Sequence, residues 1–402
     1  MLTDTLLDAA KALSPEITSL RRAIHAEPEL GLDCPMTMAK VREALTGLPL
    51  EWRTGPSTSG GVATLHGTAG AKGPARRVLL RGDMDALPME EKTGLDFAST
   101  IPGRMHACGH DTHTAMLTGA AKLLCAARES LCGTVDFMFQ PGEEGHHGAR
   151  FMLDDGLIDP LPDAAFALHI MPNAEFGVFA GRAGALMAAA DQFTITVRGK
   201  GGHASMPHDC IDPMPAAAAI VSALQAMVTR RFKASDAVVV TVTQMHGGTA
   251  HNVIPDAVML AGTIRTLSRE HRAKAHELLA QTAADTARAH GVATDCEIEE
   301  GFPVTICDPR AVELGETVAK ELGGEAGWLD LPAPIMGAED FSYVLEKVPG
   351  AMFFLGVASA GEDWSQCCSL HNPHMHVDES ALPSGAAMLA GLAERFLERG
   401  FA

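Results

Sequence analysis

Three short apolar runs, each followed by polar residues, constrain the fold of this chain more than any other feature. The runs cover residues 77–81, 134–139 and 164–168, and segments with helical patterns such as 114–128 separate them. Short apolar runs that alternate with helices are typical of an α/β sheet buried on both faces. Ligands of such sheets gather beyond the carboxyl ends of the strands. We therefore expect a site there, among the polar residues that follow the runs: Asp83, Asp85, Glu143, Glu144 and His169.

The middle of the chain has a different pattern, which predicts a separate inserted domain at residues 188–300. Its elements follow the order β-α-β-β-α-β, with the first helix at 213–231. This order is that of the ferredoxin-like unit. The α/β pattern then resumes and ends in a helix at 384–399. The predicted architecture is an α/β domain with a mixed, helix-covered sheet, formed by residues 1–187 and 301–402 and interrupted by a ferredoxin-like α+β domain.

Charge and composition exclude several classes of protein. The 402-residue chain has 31 Lys and Arg against 50 Asp and Glu, and its net charge of −19 repels nucleic acids and anionic membrane surfaces. The N-terminal residues lack a signal-peptide pattern, and the most apolar stretch, 215–228, is too short to span a bilayer. The nine cysteines include no CxxC pair, which favours a reducing compartment. We expect a cytoplasmic protein that binds neither nucleic acid nor membrane.

Residues 106–113 concentrate groups that bind metal ions. Three imidazoles, one thiol and one carboxylate lie within this segment, a density that no structural need explains. Cys108 and His110 lie on either side of Gly109, so a turn there would direct both side chains to one side. A shared metal site at Cys108 and His110 is the resulting hypothesis.

Further candidates occur at three places along the chain. Glu143 and Glu144 follow a strand and a Pro-Gly turn, where one carboxylate could bind metal while the other moves protons. An exposed acidic turn is the alternative interpretation. His169 fits either a ligand or a buried core histidine, and a C-terminal loop rich in histidine, which includes His371, could complete the site.

Eight short motifs follow one another along the chain: RGDMDALP at 81–88, HACGHD at 106–111, QPGEEG at 140–145, LH at 168–169, GGHAS at 201–205, HNVIP at 251–255, GTIR at 262–265 and LHNPH at 370–374. In this order and spacing they resemble the motifs of the hippurate hydrolases. These enzymes are the N-acyl amino-acid amidohydrolase branch of the dinuclear metallopeptidases that include aminoacylase and carboxypeptidase G. The resemblance covers about residues 15–395, and the Cys-Gly-His and Glu-Glu pairs are its most specific parts.

The resemblance implies a site with two divalent metal ions per subunit. Glu143 would be the general base, and Asp85 would be the carboxylate that orients a ligand. A cysteine replaces the bridging aspartate of other relatives, and its softer thiolate favours Mn²⁺ or Zn²⁺, with Ni²⁺ or Co²⁺ as alternatives, over Mg²⁺. The implied metal ligands are Cys108, His110, Glu144, His169 and His371.

The resemblance also implies that the inserted domain is a lid that joins two subunits into a homodimer. His203 would then act in the active site of the partner subunit and stabilise the oxyanion. Asn252 and Arg265 would bind the amide and the carboxylate of the substrate, since a guanidinium matches a carboxylate with two hydrogen bonds. A surface turn at His203 and a surface ion pair at Arg265 are the alternatives. We expect Asp340 to cap the helix that follows it.

The sequence departs from the family pattern after the QPGEEG motif. Relatives commonly continue with glycine-rich residues, whereas this chain has His146 and His147. We interpret both as surface residues. The roles of His113, His374 and His376 stay open at this stage.

The leading hypothesis is a metal-dependent amidohydrolase that cleaves N-acyl or N-aroyl amino acids such as hippurate. A metal-bound hydroxide would attack the amide, with Glu143 as general base. One alternative is a hydrolytic deaminase of a small aromatic or amidine-like substrate on the same scaffold. Another is a cysteine hydrolase in which Cys108 is the nucleophile, with His110 or His113 as its base.

Overall fold

The structure, a computed structural model, describes residues 3–70, 75–359, 361, 363–366 and 368–401. Its α-helices are α1 (Thr3–Ala12), α2 (Ser14–His25), α3 (Pro35–Ala44), α4 (His110–Ala126), α5 (Gly148–Asp154), α6 (Pro213–Arg231), α7 (Arg269–Ala289), α8 (Pro309–Gly323), α9 (Ser342–Leu345) and α10 (Leu382–Arg399). Its strands are β1 (Leu50–Thr54), β2 (Gly61–His66), β3 (Arg76–Asp83), β4 (Gly133–Gln140), β5 (Ala164–Met171), β6 (Phe179–Gly181), β7 (Gly184–Met187), β8 (Ala189–Arg198), β9 (Gly202–His203), β10 (Val238–His246), β11 (Val253–Ile254), β12 (Ala257–Thr266), β13 (Ala293–Phe302), β14 (Thr305–Cys307), β15 (Trp328–Asp330) and β16 (Gly350–Gly356).

The chain divides into two compact units. The first comprises Met1–Leu186, Ile306–Ala333 and Asp340–Ala402. The second comprises Met187–Thr305 and Pro334–Glu339. The prediction placed the insertion at 188–300 and assigned 334–339 to the other domain.

Backbone hydrogen bonds explain why the short later segment belongs to the second unit. The N–H of Ala188 donates to the carbonyl oxygens of Ile335, at 3.1 Å, and Gly337, at 2.8 Å. A backbone pairing of this kind carries no side-chain pattern, so hydrophobic periodicity does not reveal it.

The main sheet of the first unit has the strand order β1-β2-β4-β3-β5-β16-β6-β15. Strand β3 is parallel to both β4 and β5, whereas β1, β2 and β4 pair antiparallel. The sheet is therefore mixed, as predicted. Because β3, β4 and β5 are parallel neighbours, their carboxyl ends and the polar residues after them meet at one edge.

Both faces of this sheet are buried. Val78, Leu79 and Leu80 of β3 are fully buried, as are Phe137 and Phe139 of β4. Helix α10 packs against α4, α1 and α8 and against strands β3 and β5. The continuous apolar runs of the sequence are thus explained by helices that cover the strands, as the α/β interpretation predicted.

The second unit has the ferredoxin-like topology that the order of elements predicted. Its sheet runs β13-β8-β12-β10, which is the order 4-1-3-2, and all of these neighbours are antiparallel. Helices α6 and α7 pack on each other and on this sheet. Phe193, Ile195 and Val197 of β8 point into the core, and the residues between them are more exposed, as the alternation predicted.

Local signals fix where the helices of the second unit begin. The carboxylate of Asp212 accepts the N–H of Met214 at 2.9 Å, and Pro213 occupies the first turn. Ser268 accepts the N–H of His271 at 3.0 Å in the same way. These caps satisfy N–H groups that have no partner within the helix. The predicted first helix of the insertion coincides with α6 residue for residue.

Two further observations concern membranes and cysteines. Among the described residues, no helix combines the length and the apolar character that crossing a bilayer requires. The eight cysteines in the described part of the chain are all free thiols.

Candidate metal and catalytic site

A tight turn at Gly109 brings Cys108 and His110 together. Gly109 adopts a left-handed conformation with φ of 88°, and a Cβ atom there would lie 2.6 Å from the side chain of Ile170. Glycine is the residue that meets both constraints without strain. Helix α4 begins directly after the turn, at His110, so the turn fixes the direction from which this imidazole approaches the site.

Hydrogen bonds to backbone carbonyl groups orient two buried imidazoles. His110 Nδ1 donates to the carbonyl oxygen of Asp85 at 2.8 Å, and His169 Nδ1 donates to that of Ile170 at 2.6 Å. Because a carbonyl oxygen only accepts, Nδ1 carries the proton in both rings and Nε2 faces the site. His169 Nε2 lies 3.4 Å from Cys108 Sγ. The ligand atoms of Cys108, His110 and His169 all lie within 4.8 Å of one another.

A second group of three ligand atoms shares Cys108 with the first. Those of Cys108, Glu144 and His371 also lie within 4.8 Å of one another, and His371 Nε2 is 3.3 Å from Glu144 Oε1. Burial raises the pKa of Glu144, but hydrogen bonding to His371 and the charge of His110 outweigh it and lower the pKa below its ordinary value. His371 has a half-exposed side chain and a left-handed backbone with φ of 63°. Its N–H donates to the carbonyl oxygen of Ala107 at 2.8 Å.

Burial shifts the pKa values of the candidate ligands. It raises the pKa of the Cys108 thiol to about 12 and lowers the pKa of His169 well below its ordinary value. His169 is therefore neutral, the form that can bind a metal ion, and the Cys108 thiol would have to lose its proton to bind one. Burial also opposes the charged form of His110, but the charge of Asp83 and the hydrogen bond to Asp85 favour that form, and the pKa of His110 is raised well above its ordinary value.

The donors present fit two divalent metal ions. The two groups together offer one thiol, three imidazole nitrogens and one carboxylate, which are ligands of zinc and its neighbours in the first transition row. Buried polar atoms without partners cost free energy. Within the described residues, His110 Nε2 is a buried atom without a hydrogen-bond partner. Metal coordination would satisfy it.

Asp85 contacts the predicted base and two predicted ligands at once. Its carboxylate accepts the backbone N–H groups of Glu143, at 2.9 Å, and Glu144, at 3.0 Å. Its carbonyl oxygen accepts from His110, as described above. Glu143 itself is buried, with Oε2 3.9 Å from His110 Nε2. Asp85 therefore holds the Glu143–Glu144 segment and His110 in a fixed relation.

His113 uses both ring nitrogens in hydrogen bonds, although with Asp83 and His110 it forms another group of atoms that could hold a metal ion. Its Nε2 accepts the N–H of Ile170 at 2.9 Å, so the proton of the neutral ring is on Nδ1, which donates to Asp83 at 2.6 Å. Asp83 also accepts from Arg81 at 2.6 Å. Burial opposes the ionised form of Asp83, but Arg81 and the two histidines outweigh it and hold its pKa well below the ordinary value. Asp83 and His113 therefore support the candidate site through hydrogen bonds.

The N-cap residue of α9, the helix after Asp340, is Phe341 rather than Asp340, contrary to the prediction. The carboxylate of Asp340 accepts the side-chain amide of Gln140 at 2.8 Å, Arg81 at 2.9 Å and the backbone N–H of Ala149 at 2.8 Å. Ala149 lies in the first turn of α5, so Asp340 caps a helix that is remote in sequence. The sequence around Asp340, GAEDF at residues 337–341, gives no local sign of this long-range role.

A second buried network holds the start of α4. Asp111, next to His110, accepts from Arg21 Nε at 2.7 Å and from His25 Nδ1 at 2.8 Å. Asp111 is thereby used in structure rather than in metal binding. Burial lowers the pKa of the neighbouring His106 to about 3, so this ring is neutral. Asp111 belongs to the HACGHD motif, but the sequence alone did not predict its partners on α2.

In the second unit, the structure brings His203 and Asn252 together. His203 on β9 pairs with Val253 on β11, and the N–H of Ala204 donates to the carbonyl oxygen of Asn252 at 3.0 Å. His203 Nδ1 accepts the backbone N–H of Ser205 at 3.2 Å and lies 2.7 Å from its hydroxyl. Because a backbone N–H only donates, the neutral His203 ring carries its proton on Nε2. His203 is therefore a hydrogen-bond donor through that atom.

Arg265 lies on β12, outside the β9–β11 ribbon. Burial lowers its pKa, although the charge of Asp191 opposes this. Asp191 forms its ion pairs with Arg272 and His276. Among the described residues, no carboxylate forms an ion pair with Arg265, so the surface-pair alternative has no support.

Four further histidines were either assigned to the surface or left open by the sequence: His146, His147, His374 and His376. His146 is exposed and packs near Gly31, and His147 Nδ1 lies 2.8 Å from the hydroxyl of Tyr343. The N–H of His374 donates to Asn372, and His376 Nδ1 lies 3.2 Å from the carbonyl oxygen of His374. His147 is thus more than a surface residue, because its ring bonds to Tyr343.

Comparisons with known proteins agree on one family. Residues 79–395 match the model of peptidase family M20/M25/M40. The chain is 38% identical over 399 residues to IAA-amino acid hydrolase ILR1-like 2 of Arabidopsis thaliana, covering 98% of this chain and 88% of the relative. It is 36% identical over 386 residues to N-acetyl-L-cysteine deacetylase of Bacillus subtilis, covering 96% and 89%.

A solved structure extends this agreement to three dimensions. The YxeP protein of Bacillus subtilis, a dinuclear metal-binding peptidase from the M20 family, aligns with a TM-score of 0.84 and 32% identity over 97% of this chain and 99% of that one. The resemblance seen in the motifs is thereby confirmed. The chain belongs to peptidase family M20/M25/M40, and it is a metal-dependent amidohydrolase.

Proposed function

We propose that the protein hydrolyses the amide bond of N-acyl and N-aroyl amino acids, of which hippurate is an example, with two divalent metal ions per subunit. One observation carries the proposal: two groups of three metal-binding atoms share Cys108. A carboxylate oxygen of Glu143 lies within 4.8 Å of the ligand atoms of His110 and Glu144, one from each group. The proposed ligands are Cys108, His110, Glu144, His169 and His371. Glu143 stays free of the metal and acts as the general base.

The metal ions define the reaction class. When bound, they polarise the scissile carbonyl and lower the pKa of a water molecule from 15.7 toward about 7. The thiolate of Cys108 favours Mn²⁺ or Zn²⁺, with Ni²⁺ or Co²⁺ as alternatives, over Mg²⁺.

Glu143 moves the protons in this mechanism. It takes a proton from the attacking water and gives it to the departing amine nitrogen. Asp85 is a positioning residue, because its carboxylate holds the backbone of Glu143 and Glu144 while its carbonyl orients His110. The base and two ligands therefore keep one geometry during turnover.

We further propose that the active protein is a homodimer joined through the second unit. His203 from one subunit then acts in the active site of the other, where its Nε2–H donates to the developing oxyanion. The hydrogen bonds from Ser205, which leave the ring proton on Nε2, support this role. Asn252 and Arg265 bind the amide and the free carboxylate of the substrate, and Arg265 is free of competing ion pairs in the described residues.

Two relatives support the substrate class. One is named for hydrolysing IAA-amino acids and the other for deacetylating N-acetyl-L-cysteine. A cysteine hydrolase has less support, because burial raises the pKa of Cys108 to about 12 and keeps its thiol protonated at neutral pH. A cytoplasmic location stays a prediction, in keeping with the free thiols.

Product analysis over a substrate panel tests the reaction. The Zn²⁺- or Mn²⁺-loaded protein is given N-acetyl, N-benzoyl and indolylacetyl amino acids, and we expect a carboxylic acid and a free amino acid as products. Release of ammonia would favour the deaminase, and turnover of no member of the panel would contradict the proposal.

A chelator should abolish activity. Activity that survives the chelator but is lost after treatment with a thiol alkylator would favour the cysteine hydrolase.

Glu143→Gln tests the general base. We expect this variant to bind both metal ions and to lose about 10²–10⁴-fold in turnover, the usual worth of a general base. Metal analysis alongside the rate separates loss of the base from loss of the metal. A near-normal rate would show that Glu143 is not the base.

Mixed dimers test the exchange of His203 between subunits. His203→Ala and Glu143→Gln homodimers should both be inactive, and a mixed dimer should regain part of the activity, because one of its sites has both residues. Mixed dimers that stay inactive would mean that each site is built within one chain.

A further inference from the structure

A small hydrophobic cluster lies beside the chain segments that carry the site. Its buried members are Met105, Ala107 and Met375, and three partly buried residues pack against them, namely Leu87, Met89 and Val377. We call this group the Met105–Met375 cluster. Each segment of the cluster lies close in sequence to a site residue. Leu87 follows Asp85, Ala107 precedes Cys108, and Met375 follows His371.

The cluster docks the loop that carries His371. Backbone hydrogen bonds join the same segments: the N–H of His371 donates to Ala107, and the N–H of Lys92 donates to Pro373, both at 2.8 Å. Met375 adds the side-chain contact, since it is 1% exposed and packs with Met105, which is fully buried. The loop is thus held at its start by a backbone bond and near its end by an apolar side chain.

His371 depends on this docking more than the other histidines of the site do. His110 and His169 each donate Nδ1–H to a carbonyl group, which fixes the ring. For His371, none of the hydrogen bonds found in the described chain involves Nδ1, and its side chain is 54% exposed. Its left-handed backbone also persists only where the surroundings hold it. Apart from the contact of Nε2 with Glu144, the direction of this imidazole is therefore set through the backbone.

We propose that the Met105–Met375 cluster positions His371 and thereby sets the metal affinity of the subsite formed by Cys108, Glu144 and His371, separately from the subsite that contains His110 and His169. The inference rests on the proposed two-metal function. Met375 is a positioning residue, since it lies outside the ligand groups and acts through the loop. Groups that orient a metal ligand typically change metal affinity by about 10–100-fold.

Metal titration of the full-length protein tests this inference. Zn²⁺ is titrated into metal-free protein against a chromophoric chelator, for the wild type and for Met375→Ala. We expect two binding events in the wild type, one of them weakened by about 10–100-fold in Met375→Ala and the other unchanged. Met375→Leu should bind like the wild type, because it conserves volume and apolar character. Met388→Ala is the matched control: it removes an equally buried methionine from α10 and should leave both affinities unchanged.

A second measurement reports on the loop without metal. The amide of His371 should exchange its hydrogen faster in Met375→Ala than in the wild type, because the bond to Ala107 opens more often. If Met375→Ala does not fold, Val377→Ala removes less apolar volume from the same cluster and should weaken the same subsite.

The outcomes separate this inference from the proposed function. A wild type that binds a single ion overturns both. A wild type that binds two ions, with Met375→Ala and Val377→Ala unchanged in both affinities, overturns the inference alone. Equal weakening of both subsites in either variant also overturns it, because the cluster would then support the whole site rather than His371.

Discussion

At the scale of single residues, the proposed metal ligand Cys108 makes metal binding depend on pH. Burial holds the pKa of its thiol at about 12, so a metal ion displaces a proton when it binds. The metal-bound state holds fewer protons than the free state, and metal affinity must therefore rise with pH throughout the range below about 12. We expect about a tenfold gain per pH unit for each proton released, measured by Zn²⁺ titration at several pH values.

Cys108→Ser provides the control for this prediction. A serine hydroxyl is a poorer ligand, and we expect weaker binding at every pH together with a shallower pH dependence. An affinity of the wild type that does not vary with pH would mean that Cys108 is not a ligand.

Ser205 controls which nitrogen of His203 carries the proton. Ser205→Ala removes the hydroxyl 2.7 Å from Nδ1 and leaves the backbone N–H at 3.2 Å. One such hydrogen bond is worth about 0.5–1.5 kcal/mol, so we expect kcat to fall about threefold to tenfold with little change in KM. Nitrogen NMR of labelled histidine should show more of the Nδ1–H tautomer. Ser205→Thr should restore both, and an unchanged tautomer in Ser205→Ala would contradict the assignment.

The sequence narrowed the site but did not distinguish residues of the same type within it. His110 and His113 are three residues apart in one motif, yet only His110 has an Nε2 that faces the site. The difference arises because the N–H of Ile170 occupies Nε2 of His113. That bond depends on the packing of β5 beside α4, and no local pattern records it. The contacts of Asp340 and Asp111 were not predicted for the same reason, because their partners are remote in sequence.

At the scale of elements, Asp191 links β8 to α7 through polar contacts. It is buried and accepts from Arg272, from His276 and from the N–H of Gly301. Burial raises its pKa, but hydrogen bonds from His276 and Arg272 outweigh burial and lower the pKa to about 2 from its ordinary 3.8. The ionised carboxylate stabilises the fold fully above about pH 4, and this contribution is lost as pH falls toward about 2.

Asp191→Asn should therefore lower the free energy of unfolding by about 3–5 kcal/mol at neutral pH, as for other broken buried pairs. Denaturant unfolding between about pH 2 and 7 measures this, and the variant should lose part of the acid dependence of the wild type. Asp295→Asn is the matched control: it breaks an exposed pair with Arg198 and should cost about 0–1 kcal/mol. Equal effects of the two variants would contradict the prediction.

Long periodic elements were predicted well, and short ones were not. Helix α6 and the strands of the second unit follow hydrophobic periodicity, which is readable from one sequence. Strands β6, β7, β14 and β15 are only three or four residues long, and backbone bonds to remote segments define them. The pairing of Ala188 with residues 335 and 337 is of this kind, which is why the boundary of the second unit includes a segment that the pattern assigned elsewhere.

Net charge limits how the whole molecule attracts an anionic substrate. The chain carries −19, and the two proposed divalent ions with a Cys108 thiolate would leave the loaded chain near −16. Long-range steering would therefore repel an N-acyl amino acid. We expect kcat/KM to stay level or rise as ionic strength increases toward about 0.15 M, where the Debye length is about 8 Å.

Arg265 provides the local attraction in this account. Arg265→Met should raise KM for the carboxylate substrate and leave KM for its neutral carboxamide unchanged. A steep fall of kcat/KM with salt in the wild type would show that steering, not local contact, captures the substrate.

The position of β16 in the main sheet has a consequence for folding during synthesis. Strand β16 lies between β5 and β6, but about 180 residues separate it from β5 along the chain. At about 5–20 residues per second, the ribosome needs roughly ten to forty seconds to supply it. Throughout that interval β5, which carries His169, presents an open edge that could pair with another nascent chain. The second unit is complete in sequence, apart from residues 334–339, well before the first unit can close its sheet.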